Sequence, residues 1–240
     1  MFKILGIDIS SNSTGFALIQ GDKLLEYGKI NPTGSMSAFA KMYLFSVELD
    51  KLMLKYSPDY IGVEDVIQVS SVSVTKILSR FNGIALVSAY KFNNKDPRLF
   101  IPSEWKKSIG LTGIVRKCET QLFVCQKYNL LSLEKIKQYS NKIRENFEKK
   151  NEEQIEDLRK QNILLKKKKN KEKDSSNLEL INVNIQNVKD LIVKLSKDLK
   201  KQINKVFDDI STEIYVETGI NEDIADAVGI SLAYQKELNG

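Results

Sequence analysis

The sequence of 240 residues contains no histidine and only two cysteines. Without histidine there can be no Ser-His-Asp or Cys-His relay, no HExxH zinc motif and no histidine general base. Cys118 and Cys125 are too few for a four-ligand zinc site, and they lie too far apart along a predicted helix to form a disulfide with each other. Reduced thiols are typical of an intracellular protein. Any metal ion must therefore be held by carboxylates.

Long hydrophobic runs are also absent. No apolar stretch approaches the roughly 18–20 residues needed to cross a bilayer, and the start MFKILGIDIS lacks the organisation of a signal peptide. We therefore expect a soluble, cytoplasmic protein with no membrane partner.

The excess of positive charge lies in one segment. The chain has 37 Lys and Arg and 31 Asp and Glu, a net charge of +6. Residues 131–210 hold 20 of the basic and 14 of the acidic residues, so the remainder has 17 of each. The same segment has no Gly, Pro or Trp. This shift in composition predicts an insertion into a compact domain of about 160 residues, enough for a single core.

Strand and helix patterns follow one another over the first 130 residues. Residues 2–9 are nearly all apolar, which is typical of a strand buried on both faces. Predicted strands lie at residues 2–9, 14–20, 23–30, 59–64 and 98–101. Predicted helices lie at residues 37–56, 73–92, 116–128 and 221–237. The order predicts an α/β fold with a mixed five-stranded sheet and flanking helices.

The inserted segment has the periodicity of helices. In its second half, apolar residues at steps of three and four form a heptad seam: Ile185, Val188, Ile192, Leu195, Leu199 and Val206. Residues 170–177 are the predicted reversal point between two antiparallel helices of roughly 30–40 residues each. We therefore divide the chain into a first core part (1–130), a basic helical-hairpin or coiled-coil insertion (131–212), and a return segment with the last helix (213–240).

Four carboxylates stand out by position. Asp8 and Glu64 each end a predicted strand, and Asp223 and Asp226 share one face in the first turn of the last helix. Strand ends and a helix N-terminus can converge on one pocket, where like charges repel unless a divalent cation neutralises them. Mg²⁺ or Mn²⁺ is the simplest occupant, and a pair of such ions is a known solution for phosphodiester cleavage.

Each acid also has a plainer interpretation. Asp8 can simply end its strand, although a lone acid in an apolar run is costly without a partner. Glu64, like Asp65, can be an ordinary loop acid. Asp223 and Asp226 can complement the helix dipole. Asp65 and Glu222 have weaker claims than the four. The joint pattern is more specific than any member.

Three segments, in this order, resemble the acidic motifs of the RuvC-like Holliday junction resolvases: LGIDISSNSTGFALI, YIGVEDV and NEDIADAVGISLAY. These are crossover-junction endodeoxyribonucleases with the ribonuclease H fold, acting in DNA recombination and repair. The divergent sequence suggests a bacteriophage or prophage version, which would act in the cytoplasm of a bacterial host. The resemblance covers about residues 1–130 and 213–238.

The resemblance implies a function for the acids and for several lysines. Asp8, Glu64, Asp223 and Asp226 would be the catalytic tetrad that binds two Mg²⁺ ions, with Mn²⁺ able to substitute. In PSEWKKSIGLTGIVRK, the candidates for a lysine near the scissile phosphate are Lys106, Lys107 and Lys117. We favour Lys117, because it follows the Gly110–Gly113 turn and begins a helix.

The expected activity is the resolution of four-way DNA junctions by paired nicks that leave 5′-phosphate and 3′-hydroxyl ends. The twofold symmetry of such a junction predicts a homodimer. Two departures from the family pattern concern the substrate. Ile67 and Gln68 stand where the bacterial enzymes have an aromatic wedge, and the compact bacterial form lacks the insertion. The insertion is either a dimerisation or spacer coiled coil, or a basic arm on which Lys166, Lys167, Lys168 and Lys169 anchor DNA.

Three other functions are compatible with parts of the sequence pattern. A broader branched-DNA or flap endonuclease would use the same acids. GIDISSNSTG also fits the first phosphate loop of actin and sugar-kinase-like ATP-binding proteins, but the sequence has no second such hairpin and no adenosine loop, so no nucleotide cofactor is expected. An idle DNA-binding or scaffold protein would not need the four acids.

Overall fold

The computed structural model describes residues 1–32, 35–67, 71–112, 116–148 and 151–240. The chain forms two compact units. The first, here called the sheet unit, comprises Met1–Ser132 and Ser211–Gly240, and the second, the helical unit, comprises Leu133–Ile210.

The sheet unit is built on a mixed five-stranded sheet. Its strands are β1 (Lys3–Asp8), β2 (Thr14–Gln20), β3 (Lys23–Ile30), β4 (Tyr60–Glu64) and β5 (Arg98–Phe100). Their order is β3-β2-β1-β4-β5. β1 is antiparallel to β2 and parallel to β4, and β4 is parallel to β5. The predicted fold class is confirmed.

Helices cover the sheet. They are α1 (Ala38–Tyr56), α2 (Val72–Asn93), α3 (Pro102–Ser108), α4 (Lys117–Lys127) and α8 (Glu222–Asn239). Leu5 and Ile7 of β1 belong to one buried cluster with Phe45 of α1 and Phe81 of α2. Since side chains alternate along a strand, Gly6 and Asp8 lie on the opposite face, which α8 covers.

Two glycines permit a very close approach of α8 to the sheet. A Cβ atom at Gly6 would overlap the carbonyl oxygen of Ala227, and one at Gly15 would overlap the carbonyl oxygen of Asp223. Ser231 adds a hydrogen bond from α8 to the sheet, because its Oγ lies 3.1 Å from the carbonyl oxygen of Ala17. The first turn of α8 is therefore held directly over the ends of β1 and β2.

The helical unit contains α5 (Leu133–Glu148), α6 (Asn151–Lys169) and most of α7 (Ser175–Thr218). Of the predicted heptad seam, Ile185 and Val188 are buried, and Ile192, Leu195, Leu199 and Val206 are half-buried. Residues 170–174 of the predicted reversal lie between α6 and α7, and residues 175–177 begin α7. α7 has 44 residues, more than the 30–40 predicted.

The residues at the start of the predicted return segment, Glu213–Val216, belong to the sheet unit and continue α7 as a helix. The helix ends only at Gly219, whose φ of 72° is the left-handed conformation that closes helices, and whose N–H bonds the carbonyl of Tyr215. Within the described part of the chain, no helix is both long and apolar enough to span a membrane.

Candidate active site

The ends of β1 and β4 bring two of the predicted acids side by side. Ile7 is paired with Val63 in the parallel register, so Asp8 and Glu64, the next residues of their strands, leave the sheet at the same edge. Asp8 and Gly6 share the face of β1 that α8 covers, and Gly62, on the same face of β4 as Glu64, also contacts α8. Both carboxylates therefore point toward α8.

The first turn of α8 supplies the other two acids. Asn221 caps the helix by accepting the N–H of Ile224 at 3.0 Å, and its Nδ2 donates to Asp223 Oδ2 at 3.0 Å. The hydroxyl of Ser13 donates to the same oxygen at 2.7 Å. Asp223 is thus oriented both by its own helix cap and by the loop that follows β1.

The loop between Asp8 and β2 is held in a closed turn. The fully buried Thr14 donates its hydroxyl to the carbonyl of Ser10 at 2.8 Å and accepts the Ser10 N–H at 3.2 Å. Lys41 at the start of α1 donates to Asn12 Oδ1 at 2.9 Å. These hydrogen bonds fix the conformation of the loop, which positions Ser13 to donate its hydroxyl to Asp223.

The acids perturb one another electrostatically. Burial, followed by repulsion from Glu64, Asp226, Asp223 and Glu222, holds the pKa of Asp8 well above its usual value. Burial also raises the pKa of Glu64, against the opposing effects of the Trp105 hydrogen bond and of Lys106. Burial raises the pKa of Asp226 to about 7, again against Lys106. Five acids, including Glu222, thus lie within electrostatic range of each other.

The donor set fits a hard divalent cation. Asp226 Oδ1 is buried and, among the described residues, has no hydrogen-bond partner. A cation there would satisfy this oxygen and offset the repulsion among the buried acids. Within the described ranges, however, no group of three or more acidic or cysteine side chains is arranged so that it could hold a metal ion. Metal binding would therefore require the carboxylates to move, with Asp226 leaving Lys106.

Two of the three candidate lysines contact the acids. Lys106 Nζ lies 3.9 Å from Asp226 Oδ2, and Lys117 Nζ lies 2.5 Å from Glu222 Oε2. Lys107 is exposed on α3. The choice of Lys117 as the lysine near the scissile phosphate stays a prediction, and the geometry gives Lys106 an equal claim because its neighbour is one of the four acids.

The predicted DNA-contacting residues outside the acidic cluster are exposed. Lys166–Lys169 occupy the last turn of α6 in the helical unit. Ile67, at the position of the expected wedge, is 53% exposed, and Gln68 lies outside the described residues. Gly113 of the predicted turn before Lys117 also lies outside them.

Sequence reasoning missed several members of the site. Glu222 is ranked below the four predicted acids, although its position directly before Asp223 could have indicated that it belongs to the acidic cluster. Ser13 and Asn221 were not singled out, yet both bond Asp223. Trp105 was not singled out either; it is buried, and its indole N–H donates to Glu64 Oε2 at 2.9 Å. No sequence pattern identifies that bond.

A mixed sheet of this order, with acids at the ends of β1 and β4 and in the helix that crosses them, defines a ribonuclease H-like fold with an acidic centre. The family whose model matches the chain is described as crossover junction endodeoxyribonuclease RuvC, and the match covers residues 4–143. The chain belongs to this family. The match includes Asp8 and Glu64 but ends before α8, so the helical unit separates the two pairs of acids in sequence.

Curated relatives carry the same description. RuvC of Alkaliphilus oremlandii is 26% identical over 136 residues, which cover 55% of this chain and 82% of that protein. RuvC of Orientia tsutsugamushi is 31% identical over 127 residues, covering 50% and 78%. A solved structure, T. thermophilus RuvC in complex with Holliday junction substrate, matches 54% of this chain and 80% of its own with a TM-score of 0.47 and 15% identity.

Proposed function

We propose that this protein is a Mg²⁺-dependent endodeoxyribonuclease that resolves four-way DNA junctions by paired nicks, leaving 5′-phosphate and 3′-hydroxyl ends. Membership of the family supports the class of reaction. The observation that carries the proposal is the burial of acids from β1, β4 and α8 within electrostatic range of one another, together with the unpartnered buried oxygen of Asp226.

Asp8, Glu64, Asp223 and Asp226 would hold two Mg²⁺ ions, for which Mn²⁺ could substitute. The ions would supply activation of a water molecule and stabilisation of the leaving oxygen. The protein's own part is to keep these four acids at one edge of the sheet. Ser13 and Asn221 orient Asp223, and Trp105 bonds Glu64.

A lysine beside the acids would offset the charge that develops on the phosphate in the transition state. Lys106, within a few ångströms of Asp226, and Lys117, paired with Glu222, are the two candidates. Either ammonium would have to leave its carboxylate for the phosphate when DNA binds. Lys107 would contact the DNA backbone from the exposed face of α3.

The helical unit would act as a basic arm that grips DNA away from the cut. Its net positive charge and the exposed lysines at the end of α6 support this over a purely structural coiled coil. Four consecutive lysines span slightly more than one helical turn, so they cannot all face one phosphate track. They would provide general electrostatic attraction rather than a specific contact.

The symmetry of a four-way junction favours a twofold dimer whose two active sites cut opposed strands. Sedimentation should show a dimer, free or on the junction. A protein that remains monomeric throughout and still makes paired nicks would contradict this part of the proposal.

The function is tested by comparing four-way junction, flap, bubble and linear duplex DNA, each with Mg²⁺ and with EDTA. We expect paired, symmetric nicks in the junction only with Mg²⁺, with the duplex left intact. Preferential cutting of flaps would instead identify a broader branched-DNA nuclease. Equal cutting in EDTA would reject the metal-dependent mechanism.

A further inference from the structure

Trp105 is the only tryptophan in the chain and is completely buried. It lies in the short helix α3, and its ring packs directly on Gly229 of α8, where a Cβ atom would overlap the ring atom Cζ3. Gly229 follows Asp226 by one helical turn. The indole therefore packs tightly against α8, the helix that supplies two of the four acids.

The polar edge of the same ring reaches a third acid. The indole Nε1–H donates to Glu64 Oε2 at 2.9 Å. An indole N–H can only donate, and a glutamate side chain has three rotatable bonds that must be fixed before it can serve as a rigid ligand. The bond engages one carboxylate oxygen and so restricts the orientation of the group, and the second oxygen would be the one to bind a cation.

The residue next to Trp105 extends this connection. Lys106 Nζ lies 4.9 Å from the centre of the Trp105 ring and 3.9 Å from Asp226 Oδ2. One short helix thus touches the strand acid through Trp105 and the helix acid through Lys106. Core packing alone explains the buried ring, but it does not require that the acceptor of the indole N–H be one of the four acids.

We propose that Trp105 is a positioning residue: its indole N–H orients the Glu64 carboxylate for divalent-cation binding. The inference rests on the proposed function, in which Glu64 is a metal ligand. Groups that hydrogen-bond to metal ligands commonly change metal affinity or activity by about 10- to 100-fold when removed, and we expect a loss in that range here.

Because the chain has a single tryptophan, the N–H can be removed without changing the shape of the side chain. Growth on β-(3-benzothienyl)alanine replaces the indole with a bicyclic ring that has sulfur in place of N–H, at Trp105 alone. Growth on 5-fluorotryptophan, which keeps the N–H, provides the matched control. Mn²⁺ binding to the DNA-free protein is measured by calorimetry, and kcat and KM are measured on a four-way junction at a fixed Mn²⁺ concentration.

The benzothienyl protein should bind Mn²⁺ about 10- to 100-fold more weakly, with a lower kcat and an unchanged KM for the junction. The fluorotryptophan protein should match the natural one. A merely structural role would instead lower the thermal midpoint and leave the Mn²⁺ affinity of the folded protein unaltered. Equal Mn²⁺ affinity in the two substituted proteins would overturn the inference.

Trp105→Phe is the second variant, to be used if the benzothienyl protein does not fold. It keeps an aromatic ring against Gly229 and should show the same selective loss of Mn²⁺ affinity. An affinity equal to that of the natural protein would again overturn the inference.

The natural protein distinguishes failure of this inference from failure of the proposed function. If it binds Mn²⁺ and cuts junctions while both substituted proteins do so equally well, only the role of Trp105 fails. If the natural protein neither binds Mn²⁺ nor cuts, the proposed function fails with it.

Discussion

The sheet unit and the helical unit use charge in opposite ways. Outside residues 131–210 the basic and acidic residues balance at 17 each, yet Asp8, Glu64 and Asp226 are drawn together into a poorly solvated edge of the sheet. The helical unit carries the whole excess of positive charge, and the lysines at the end of α6 are exposed. Under the proposed function, the net charge of the helical unit would attract DNA, whereas the buried acids of the sheet unit would carry out the chemistry.

The energetic consequences differ accordingly. Buried carboxylates without a counter-ion destabilise the fold, and the close packing of α8 on the sheet must compensate for them. Exposed lysines hardly affect stability but attract phosphate over a distance set by ionic strength. Substitutions in the sheet unit should therefore abolish a function, while those in the helical unit should change its strength.

The largest effect is expected from Asp8→Asn. The amide is nearly isosteric but cannot neutralise a divalent cation, so cleavage of a four-way junction with Mg²⁺ should fall by at least about 10³-fold, as for other essential groups. Junction binding in EDTA should stay close to that of the natural protein. A gel-shift assay and a single-turnover cleavage assay measure the two. Cleavage at the normal rate would remove Asp8 from the catalytic set.

The close approach of α8 is tested by a pair of glycine substitutions. Gly6→Ala places a methyl group into backbone atoms of α8 and should lower the free energy of unfolding by about 3 kcal/mol. Gly83→Ala is the matched control, because nothing lies within 4 Å of its added Cβ. Since Gly83 lies within α2, alanine there should raise stability by about 0.5–1 kcal/mol. Urea denaturation measures both, and equal effects would contradict the packing of α8 on β1.

Much of the sheet unit was predictable because the sequence patterns that specify its strands are local. The apolar runs of β1 and β4 end at Asp8 and Glu64, and parallel strands bring their carboxyl ends to one edge. The position of α8 depends instead on Gly6 and Gly15 being opposite the same helix, which is a tertiary relation that no local pattern contains. The hydrogen bond from Trp105 to Glu64 could not be predicted for the same reason, since the two residues are 41 positions apart in the sequence.

The full extent of α7 could not be predicted from composition. The composition changes near residue 211, which predicts a boundary there, but α7 continues to Thr218. No glycine or proline lies between residues 131 and 210, and Gly219 is the first glycine after this segment, where its left-handed conformation closes α7. Composition reports the change of environment from one unit to the other, whereas the helix follows backbone propensity and continues through it.

A smaller effect on stability is expected from Asp226→Asn in EDTA. The pKa of Asp226 is raised to about 7 in the folded protein, whereas it is near 4 in an unfolded chain. Below pH 4 the carboxyl is protonated in both states and contributes nothing. As the pH rises from about 4 through about 7, the unfolded chain loses this proton first, so the natural protein loses stability.

The Asp226→Asn variant has no carboxyl at this position, so it does not lose stability in this way as the pH rises. Its thermal midpoint at pH 8 should therefore exceed that of the natural protein by on the order of 5 °C, and the difference should disappear near pH 4. Asp209→Asn, an exposed substitution in the helical unit, is the control and should change neither value appreciably. Mg²⁺ should raise the midpoint of the natural protein at pH 8 more than that of Asp226→Asn. Parallel pH profiles for the natural protein and Asp226→Asn would show that this carboxyl is not destabilising.

The smallest effect should come from Lys166–Lys169 in the helical unit. Replacing all four with Gln removes exposed charge from the last turn of α6, and about two of the ammoniums can face one phosphate track. The slope of log affinity against log salt should therefore flatten by about 2, with roughly tenfold weaker junction binding at low salt. The matched variant with four Arg keeps the charge and should retain the slope, and both variants should cut at the normal rate when the junction is saturated. An unchanged slope in the Gln variant would mean that these lysines do not contact DNA, and the helical unit would then be better explained as a dimerisation or spacer element.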